Sequence, residues 1–398
     1  MNNYRITGLI SLAHFFSHFF FFVLPPLFPV IKSSLQVSYA ELGFVIVVFN
    51  IASGLTQIPI GVLVDKFDAA WLLVIAVLVQ SVSLIIIGLY PSYWTLMLIM
   101  VPAGIANSVY HPADYSILSR NISESVLGRA FSIHTVAGFS GSAVAPLLMV
   151  TLSRYIGWEN AILSIGLVGI FVGLILLIKR THLQNMETLE ADKLSGAGEE
   201  TSIFKTFSVI LSLPILMGLL FWTFLSISHA GVSYFSVSAF DQMYDVPLSI
   251  SSLALTVFLG FSAVGILIGG IVSDYTSRHD LVAIIGSLVA GLTIISIPMV
   301  GSHFFLIMIA LGIAGFASGI TAPSRDLLIR AATPKALIGT VFGFVSTGLN
   351  IGGIIGPIVF GLLLDTHHPA FVFVVAGIFQ VAIIFTVVSI KSAKKKVF

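Results

Sequence analysis

The chain contains an internal repeat that covers most of its length. Gly61 and Asp65 recur as Gly270 and Asp274, at an offset of 209 residues. Five further residues recur at an offset of 211, and the pairs are Pro112 and Pro323, Gly128 and Gly339, Phe131 and Phe342, Gly141 and Gly352, and Pro146 and Pro357. Both copies lie in strongly apolar sequence. The repeat therefore predicts two parallel halves, each a bundle of membrane helices.

Lipid must be the solvent for most of this chain. Of its 398 residues, 57% are hydrophobic and only 9% are charged, whereas soluble domains carry about 25% charged residues. A membrane-spanning helix needs about 20 apolar residues. Twelve segments reach that length, and we number them spans 1 to 12: 7–31, 39–64, 69–90, 94–119, 127–151, 159–178, 208–237, 249–273, 280–300, 303–328, 337–364 and 369–390. The predicted fold class is an all-α integral membrane protein with two parallel six-helix repeats.

A charged joint separates the two halves. Residues 179–205 hold nine of the charged residues, with Ser195, Gly196 and Gly198 among them, which is typical of a solvated linker. We therefore predict an N-terminal six-helix bundle at 1–178, a cytoplasmic linker at 179–207, and a C-terminal six-helix bundle at 208–398 that ends in a short basic tail.

The basic residues predict the topology. With the N-terminus inside, fifteen of the 18 lysines and arginines fall on the cytoplasmic side, and only Lys32 and Arg154 fall outside. Cytoplasmic loops of membrane proteins carry such an excess of positive charge. Both termini are therefore predicted to be cytoplasmic, in a multi-pass protein of a bacterial-type plasma membrane. Span 1 is too long for a signal-peptide core, and we expect it to be retained.

Composition also excludes several kinds of chemistry. The chain has no cysteine, which excludes disulfides, thiolate metal sites and cysteine catalysis. Its net charge of +1 predicts no nucleic-acid partner. No Walker-type phosphate loop is present, so ATP-driven transport is not expected. Nothing in the sequence indicates an enzyme.

Two loop motifs carry a family resemblance. The loop after span 2 contains Gly61-Val-Leu-Val-Asp65-Lys66, and the loop after span 8 contains Gly270-Ile-Val-Ser-Asp274, followed by Arg278. Both resemble the glycine-x-x-x-aspartate loop of the major facilitator superfamily of secondary transporters. The first copy departs from the pattern, because Asp68 stands where glycine is usual and alanines replace the usual basic pair. The resemblance implies a monomer in which spans 1, 4, 7 and 10 line a central cavity.

A closer resemblance lies in spans 1, 4 and 5. Ser11-Leu-Ala-His14, Ser108-Val-Tyr-His111-Pro112 and Gly128-Arg129-Ala-Phe-Ser132 are similar to segments of the fosmidomycin-resistance-type exporters. This resemblance implies antiport, in which protons are exchanged for a small anionic or amphipathic compound. In that group an acidic residue often closely follows the His-Pro pair, and here it is displaced by one alanine, as Asp114.

Three acidic residues are candidates for gating. The resemblance implies that Asp65 and Asp274 each face the N-terminus of a helix in the other half, where the helix dipole favours a carboxylate by about 0.3–1 kcal/mol. A simple helix-end cap is the alternative. Asp326 is adjacent to Arg325 in span 10, so we expect it to point to another face and to act in packing or gating.

Charged residues within the spans are the main functional candidates. A charge in the membrane interior costs several kcal/mol and is usually functional or paired. Asp114 lies two residues after Pro112 in span 4, and Arg325 lies two after Pro323 in span 10, so the repeat places them at matching depths. We hypothesise that Arg325 binds an anionic group of the substrate, or Asp114 in its absence. A carboxyl group removed from water is protonated more readily, so Asp114 would carry the coupling proton. A structural ion pair is the alternative.

Histidines form a second set of candidates. His14 and His18 are four residues apart in span 1 and share a face, and His111 lies three residues before Asp114. Histidine can gain or lose a proton near neutral pH, so we assign proton coupling to Asp114, His111, His14 and His18. A hydrogen-bonded core histidine is the alternative for each. His134 is noted in span 5 without a role.

Other polar side chains complete the expected substrate site. Besides Arg325, the candidates are Asn50, Asn107, Tyr110, His229, Tyr234 and Asn350. Glycines at four-residue spacing in span 11 (Gly348, Gly352 and Gly356) and at three-residue spacing in span 5 (Gly138 and Gly141) predict close helix packing.

The sequence leaves three transport functions open. The first is proton-coupled export of a small anionic or amphipathic drug or metabolite. The second is proton-coupled import of a carboxylate nutrient, which Arg325 fits equally well. The third is a divalent-metal carrier that uses His14, His18, His111 and Asp114. The expected partners are a small-molecule substrate, protons and the bilayer. We predict no metal site and no cofactor beyond the proton gradient.

Overall fold

The computed structural model describes residues 2–183, 203–334 and 337–397, and within these ranges the chain is helical without a β-strand. Twelve helices in the described part are long and apolar enough to cross a membrane, as the sequence predicts. Their bounds are Asn3–Leu35, Tyr39–Val64, Ala69–Leu89, Tyr93–Asn121, Val126–Ile156, Trp158–His182, Leu213–Tyr244, Leu248–Tyr275, His279–Val300, Phe304–Ala331, Val341–Asp365 and Pro369–Ile390. The predicted linker falls mostly on residues 184–202, which lie outside the described ranges.

Three of the spans are interrupted helices. Span 1 comprises helix Asn2–Phe21, a 3₁₀ turn at Pro25–Leu27 and helix Phe28–Leu35. Proline lacks the backbone N–H that a regular helix needs, so Pro25 and Pro26 explain this break. Span 4 consists of Tyr93–Asn107 and Tyr110–Asn121. It breaks at Ser108 and Val109, because the ring of Pro112 would clash with the carbonyl of residue 108 in a continuous helix.

Span 7 contains a π-helical turn. Helix Leu213–Ala230 passes through a π turn at Gly231–Phe235 into helix Ser236–Tyr244. Such turns occur frequently at functional sites. The remaining helices are Tyr39–Lys66, Ala69–Leu89, Glu124–Ile156, Trp158–Lys179, Ile203–Ile210, Leu248–Tyr275, His279–Ser296, Phe304–Ala331, Ile338–Asp365 and Pro369–Val397, with further 3₁₀ turns at Arg180–His182 and Ile297–Val300.

The helices group into two compact units. Unit 1 comprises Met1–Val37 and Val48–Gly198, and unit 2 comprises Ser38–Val47 and Glu199–Phe398. A core of aliphatic side chains from spans 1, 3 and 4 fills unit 1, and Tyr110 is its largest member. In unit 2, Phe221 packs with Ile383 and Val387 between spans 7 and 12. Large apolar side chains such as Ile58 and Ile178 stay exposed on the outside, as expected of a surface that lipid solvates.

Small residues allow close helix packing in both units. In span 11, a methyl group added at Gly348 would lie 2.5 Å from the Leu219 carbonyl oxygen, and one at Gly356 would lie 2.6 Å from the Ala230 side chain. Real carbon atoms do not approach that closely. The four-residue glycine spacing of span 11 therefore packs this helix against span 7, which confirms the packing prediction.

The start of span 2 belongs to unit 2 and has a complete N-terminal cap. The Ser38 hydroxyl accepts from the Glu41 N–H at 3.0 Å, and the Glu41 carboxylate accepts from the Ser38 N–H at 2.7 Å, which together form a capping box. The two amides between them donate to Asp365 in span 11, at 2.8 Å from Tyr39 and 2.8 Å from Ala40. All the first N–H groups of this helix are thus paired, although they lack intrahelical partners.

Asp365→Ala is expected to destabilise the protein by about 1–2 kcal/mol, because it leaves two helix N-terminal amides unpaired. The loss would appear as a lower thermal unfolding midpoint of the purified protein in detergent. Asp365→Asn retains one acceptor oxygen and should give a smaller decrease. Asp274→Ala removes an exposed carboxylate from a helix end and serves as the control. Equal midpoints for Asp365→Ala and Asp274→Ala would contradict the capping role.

Candidate functional site

A buried carboxylate lies between two imidazoles in unit 1. Asp114 of span 4 has no exposed surface, and His14 of span 1 and His134 of span 5 are also buried. His134 Nε2 lies 3.0 Å from Asp114 Oδ2, at hydrogen-bond distance. His14 Nδ1 lies 3.3 Å from the same oxygen, and the two imidazoles stack with their centroids 3.8 Å apart. Three spans thus bring one acid and two bases into direct contact. We call these three residues the acid–imidazole cluster.

The cluster has more polar atoms than hydrogen bonds. His14 Nδ1, Asp114 Oδ1 and His134 Nδ1 have no hydrogen-bond partner among the described residues. A buried polar atom without a partner costs about 1–3 kcal/mol, and such atoms are rare in native proteins. A further proton or cation bound in the cluster would give these atoms a partner.

Two more histidines lie at the edge of this cluster. The His18 ring centroid is 4.6 Å from that of His14, and His18 Nδ1 lies 3.1 Å from the Ser142 hydroxyl. The His111 ring centroid is 5.2 Å from that of His14, and His111 is exposed. The structure thus brings all four predicted proton-coupling residues together, and it adds His134.

A missing side chain in span 5 makes the cluster possible. Gly138 lies one helical turn after His134, and a methyl group there would collide with the His14 imidazole. Gly141 similarly lets span 5 approach the Phe15 carbonyl of span 1. The small residues of span 5 therefore set the distance at which His14 and His134 can stack.

A buried arginine occupies the corresponding helices of unit 2. Arg325 of span 10 is only 7% exposed, and its guanidinium carbon lies 3.6 Å from the ring centroid of Trp222 in span 7. This contact is a cation–π interaction. Arg325 Nε also donates to Asp326 Oδ1 at 2.8 Å, and its Nη2 to Oδ2 at 3.3 Å. The two guanidinium nitrogens of Arg325 thus already donate to a carboxylate, and the side chain of that carboxylate is 45% exposed.

The expectation that Asp326 points away from Arg325 was wrong, whereas its role in packing or gating stays a prediction. Adjacent residues on a helix usually point to different faces, but the long Arg325 side chain curls back to its neighbour and both carboxylate oxygens accept from it. The sequence predicts that Arg325 binds Asp114 when no substrate is present. Within its own unit, each of these residues has other partners. Asp114 contacts histidines, and Arg325 contacts Trp222 and Asp326.

The other substrate candidates of unit 2 lie on spans 7 and 11. His229 Nε2 lies 3.1 Å from the Ser318 hydroxyl of span 10, and its ring contacts Phe258. Tyr234 lies within the π turn and is partly buried. Asn350 is partly buried in span 11. His229 and Arg325 therefore both lie at the contact between spans 7 and 10.

The polar candidates of unit 1 divide into two kinds. Asn107 donates to the Ser53 hydroxyl at 3.2 Å, and Asn50 is partly buried in span 2. Tyr110 is fully buried, and its hydroxyl donates to the side-chain oxygen Oε1 of Gln80 at 2.8 Å. Tyr110 therefore joins spans 3 and 4 in the core. The substrate role expected of Tyr110 stays a prediction, and its ring and hydroxyl are buried in this structure.

The two loop carboxylates give no test of the gating prediction. The side chain of Asp65 lies outside the described part of the structure. Asp274 lies in the last turn of helix Leu248–Tyr275 and is exposed. Their gating role stays a prediction.

Sequence reasoning missed two participants. His134 was noted without a role, although its spacing from Gly138 could have placed it on the face of span 5 that approaches span 1. One sequence feature could have drawn attention to Trp222, since it is the only tryptophan in the predicted spans of the second half. Neither signal identifies the partner residue, which depends on how the helices rotate about their axes.

The whole chain matches one protein family. The Major Facilitator Superfamily pattern matches residues 10–249 and 227–397, and the two matches together cover almost the whole chain. The chain belongs to the Major Facilitator Superfamily. It is accordingly a multi-pass membrane transporter of this superfamily and not an enzyme, as the sequence resemblance implies.

Related proteins support the assignment. The chain is 26% identical over 371 residues to the fosmidomycin resistance protein of Escherichia coli (strain K12), which covers 91% of this chain and 87% of that protein. It is 21% identical over 354 residues to the probable L-galactonate transporter of the same organism, with 85% and 78% covered. The fold is similar to that of the nucleoside transporter NupG, with a TM-score of 0.78, 15% identity, and 97% and 99% of the two chains covered.

Gly138→Ala is expected to destabilise the protein by about 1–3 kcal/mol, since the added methyl overpacks the contact between spans 1 and 5. Gly128→Ala is the matched control on the same helix, because nothing lies within 4 Å of the added carbon. Thermal unfolding of the two purified variants in detergent makes the comparison. A Gly138→Ala midpoint at or above that of Gly128→Ala would show that the two helices do not need this close contact.

Proposed function

We propose that this transporter is a proton-coupled antiporter that exports a small anionic or amphipathic compound. The observation that carries the proposal is the buried Asp114 carboxylate held between His14 and His134. The resemblance to the fosmidomycin resistance protein supports the same class of compound.

Protonation of the acid–imidazole cluster changes its net charge in an apolar environment. With Asp114 ionised and both imidazoles neutral, the cluster carries one negative charge among buried groups. One added proton makes the cluster neutral and gives a partner to one of its unpaired atoms. A buried charge and a buried unpaired polar atom each cost several kcal/mol. The two protonation states therefore differ in the conformation they favour, which is what coupling to a proton gradient requires.

Arg325 supports an anionic substrate. A guanidinium binds carboxylate or phosphonate groups with two parallel hydrogen bonds, and Asp326 already makes this arrangement with it. Because Asp326 is partly exposed, an incoming anion can replace it without leaving a buried carboxylate unpaired. Trp222 keeps the guanidinium plane in place, and it offers an apolar face to an amphipathic compound.

Import of a carboxylate nutrient is the second candidate function. The probable L-galactonate transporter and the probable galactarate/D-glucarate transporter GarP of Escherichia coli are named for sugar acids. The Arg325 site suits such acids as well as it suits phosphonates. Proteoliposomes with opposite pH gradients separate the two functions: an antiporter moves substrate against the proton flow, and a symporter moves substrate with it.

Asp114→Asn is expected to reduce flux driven by a pH gradient at least tenfold, on the order of the loss of one essential proton-transfer group. The measurement is uptake of fosmidomycin and of L-galactonate into proteoliposomes. Exchange of the same substrate across the membrane without a pH gradient should persist, since that process needs no net proton movement. Asp245→Asn is the control, because Asp245 adopts a left-handed backbone conformation (φ 49°) that asparagine also tolerates. Unchanged pH-driven flux in Asp114→Asn would overturn the coupling role.

Arg325→Gln is expected to abolish the thermal stabilisation of the purified protein by anionic ligands. A ligand at about 100 times its dissociation constant adds about 2.7 kcal/mol to the folded state, so its loss is measurable. Arg330→Gln on the same helix is exposed and should respond like the wild type. Arg325→Lys should retain part of the effect, because it keeps the charge but loses the planar fork. Equal stabilisation of Arg325→Gln and Arg330→Gln would exclude Arg325 from the substrate site.

A further inference from the structure

The acid–imidazole cluster presents the ligand set of a transition-metal site. Imidazole and carboxylate groups suit ions such as Zn²⁺ and Co²⁺. His14, Asp114 and His134 each offer one such atom, and these atoms all lie within 4.8 Å of one another. We propose that these three residues bind a divalent transition-metal ion, with Zn²⁺ and Co²⁺ as the representative ions.

The distances within the cluster agree with those around a bound ion. Two ligand atoms that share a tetrahedral ion at about 2.1 Å lie about 3.4 Å apart. The His14 Nδ1 to Asp114 Oδ2 distance is 3.3 Å, and the His134 Nε2 to Asp114 Oδ2 distance is 3.0 Å. The third pair, between the two imidazoles, lies within 4.8 Å. Because these two rings stack and an imidazole binds a metal through a lone pair in its own plane, at least one ring must rotate before both coordinate the same ion.

The hydrogen bonding of His14 supports a cation at this position. Its Nδ1 lies beside Asp114 Oδ2 without hydrogen-bond geometry, and it has no other partner in the described part of the chain. If this nitrogen carries no proton, two electron-rich atoms lie 3.3 Å apart, and a cation bound between them would remove their repulsion. Asp114 Oδ1 is also unpaired, and it could make the carboxylate a bidentate ligand.

The neighbouring histidines define the rest of the coordination sphere. His18 Nδ1 is at hydrogen-bond distance from Ser142, so it is not counted among the ligands. The His111 ring lies 5.2 Å from His14 and can supply a fourth ligand after rotation. His111 and Tyr115 are both exposed, which gives an ion a route to the buried atoms from that side of unit 1.

The bound ion would compete with protons. Metal ligands must be deprotonated, so an ion on Asp114 and the two imidazoles excludes the proton that couples transport. This consequence depends on the proposed function, whereas metal binding itself does not. A divalent ion is therefore expected to inhibit pH-driven flux, and protons are expected to weaken metal binding.

Binding of Co²⁺ to the purified full-length protein tests the site directly. The protein carries an affinity tag without histidine, and the titration is followed by the visible absorption of tetrahedral Co²⁺ and by calorimetry with Zn²⁺. One ion per chain is expected. His134→Gln should weaken binding at least about tenfold, since loss of a mere outer-shell partner already weakens a metal site about 10- to 100-fold.

The control replaces the exposed histidines His303, His367 and His368 together by glutamine, and it should bind as the wild type does. His14→Gln and Asp114→Asn repeat the test, and the thermal unfolding midpoint of each variant verifies folding. No saturable binding to the wild type would overturn the proposal. Binding that survives in all three cluster variants, or that disappears only in the exposed-histidine variant, would overturn it as well. If the protein binds metal as expected but Asp114→Asn leaves pH-driven flux unchanged, the coupling role is refuted and the metal site is not.

Discussion

A polar group in a lipid-solvated bundle must find its partner inside the protein, because the hydrocarbon offers none. This constraint accounts for the main polar contacts of both units. Asp114 has two imidazoles, and Arg325 has the Trp222 ring and the Asp326 carboxylate. The first amides of span 2 are paired by Ser38 and Asp365. Several buried side-chain atoms elsewhere in the described residues, such as both polar atoms of Gln380, also lack a partner. The acid–imidazole cluster differs from them because its unpaired atoms belong to a buried carboxylate and two imidazoles in contact, and that combination is the reason to assign it a function.

The duplication conserved the framework and changed its chemistry. Asp114 and Arg325 occupy repeat-related positions two residues after a proline, and each contacts the first helix of its own half, through His14 and Trp222 respectively. An acid with imidazoles can take up a cation, whereas a guanidinium over an indole can bind an anion. The two repeat-related pairs of helices thus carry groups of opposite character, which agrees with the proposed cation site in unit 1 and the proposed anion site in unit 2. That division suits a transporter which exchanges protons for an anionic compound.

The sequence predicted the helices well and their partners poorly, for a physical reason. Lipid imposes length and hydropathy on each span, so these properties are local and can be counted along the chain. Contacts between spans depend on rotation about each helix axis. His134 meets Asp114 only because Gly138 admits the His14 ring, which no periodicity indicates. The Arg325–Asp326 contact was predicted wrongly, since the rule for adjacent helix positions concerns Cβ directions and not the reach of a long side chain.

The same unpaired atoms limit how tightly the cluster can hold a metal ion. A ligating imidazole usually donates its other N–H to a carboxylate or a carbonyl. For His134, Nε2 faces Asp114 and Nδ1 has no partner among the described residues. Coordination through Nε2 moves the ring proton to Nδ1, where nothing stabilises it. A proton taken up on Asp114 Oδ1, which is unpaired, avoids this cost, because His134 Nε2 then keeps its proton and continues to donate to Oδ2. The cluster should therefore bind metal ions reversibly, without the affinity of a structural zinc site. Such weak binding is compatible with the proposed exchange of protons at this site in every transport cycle.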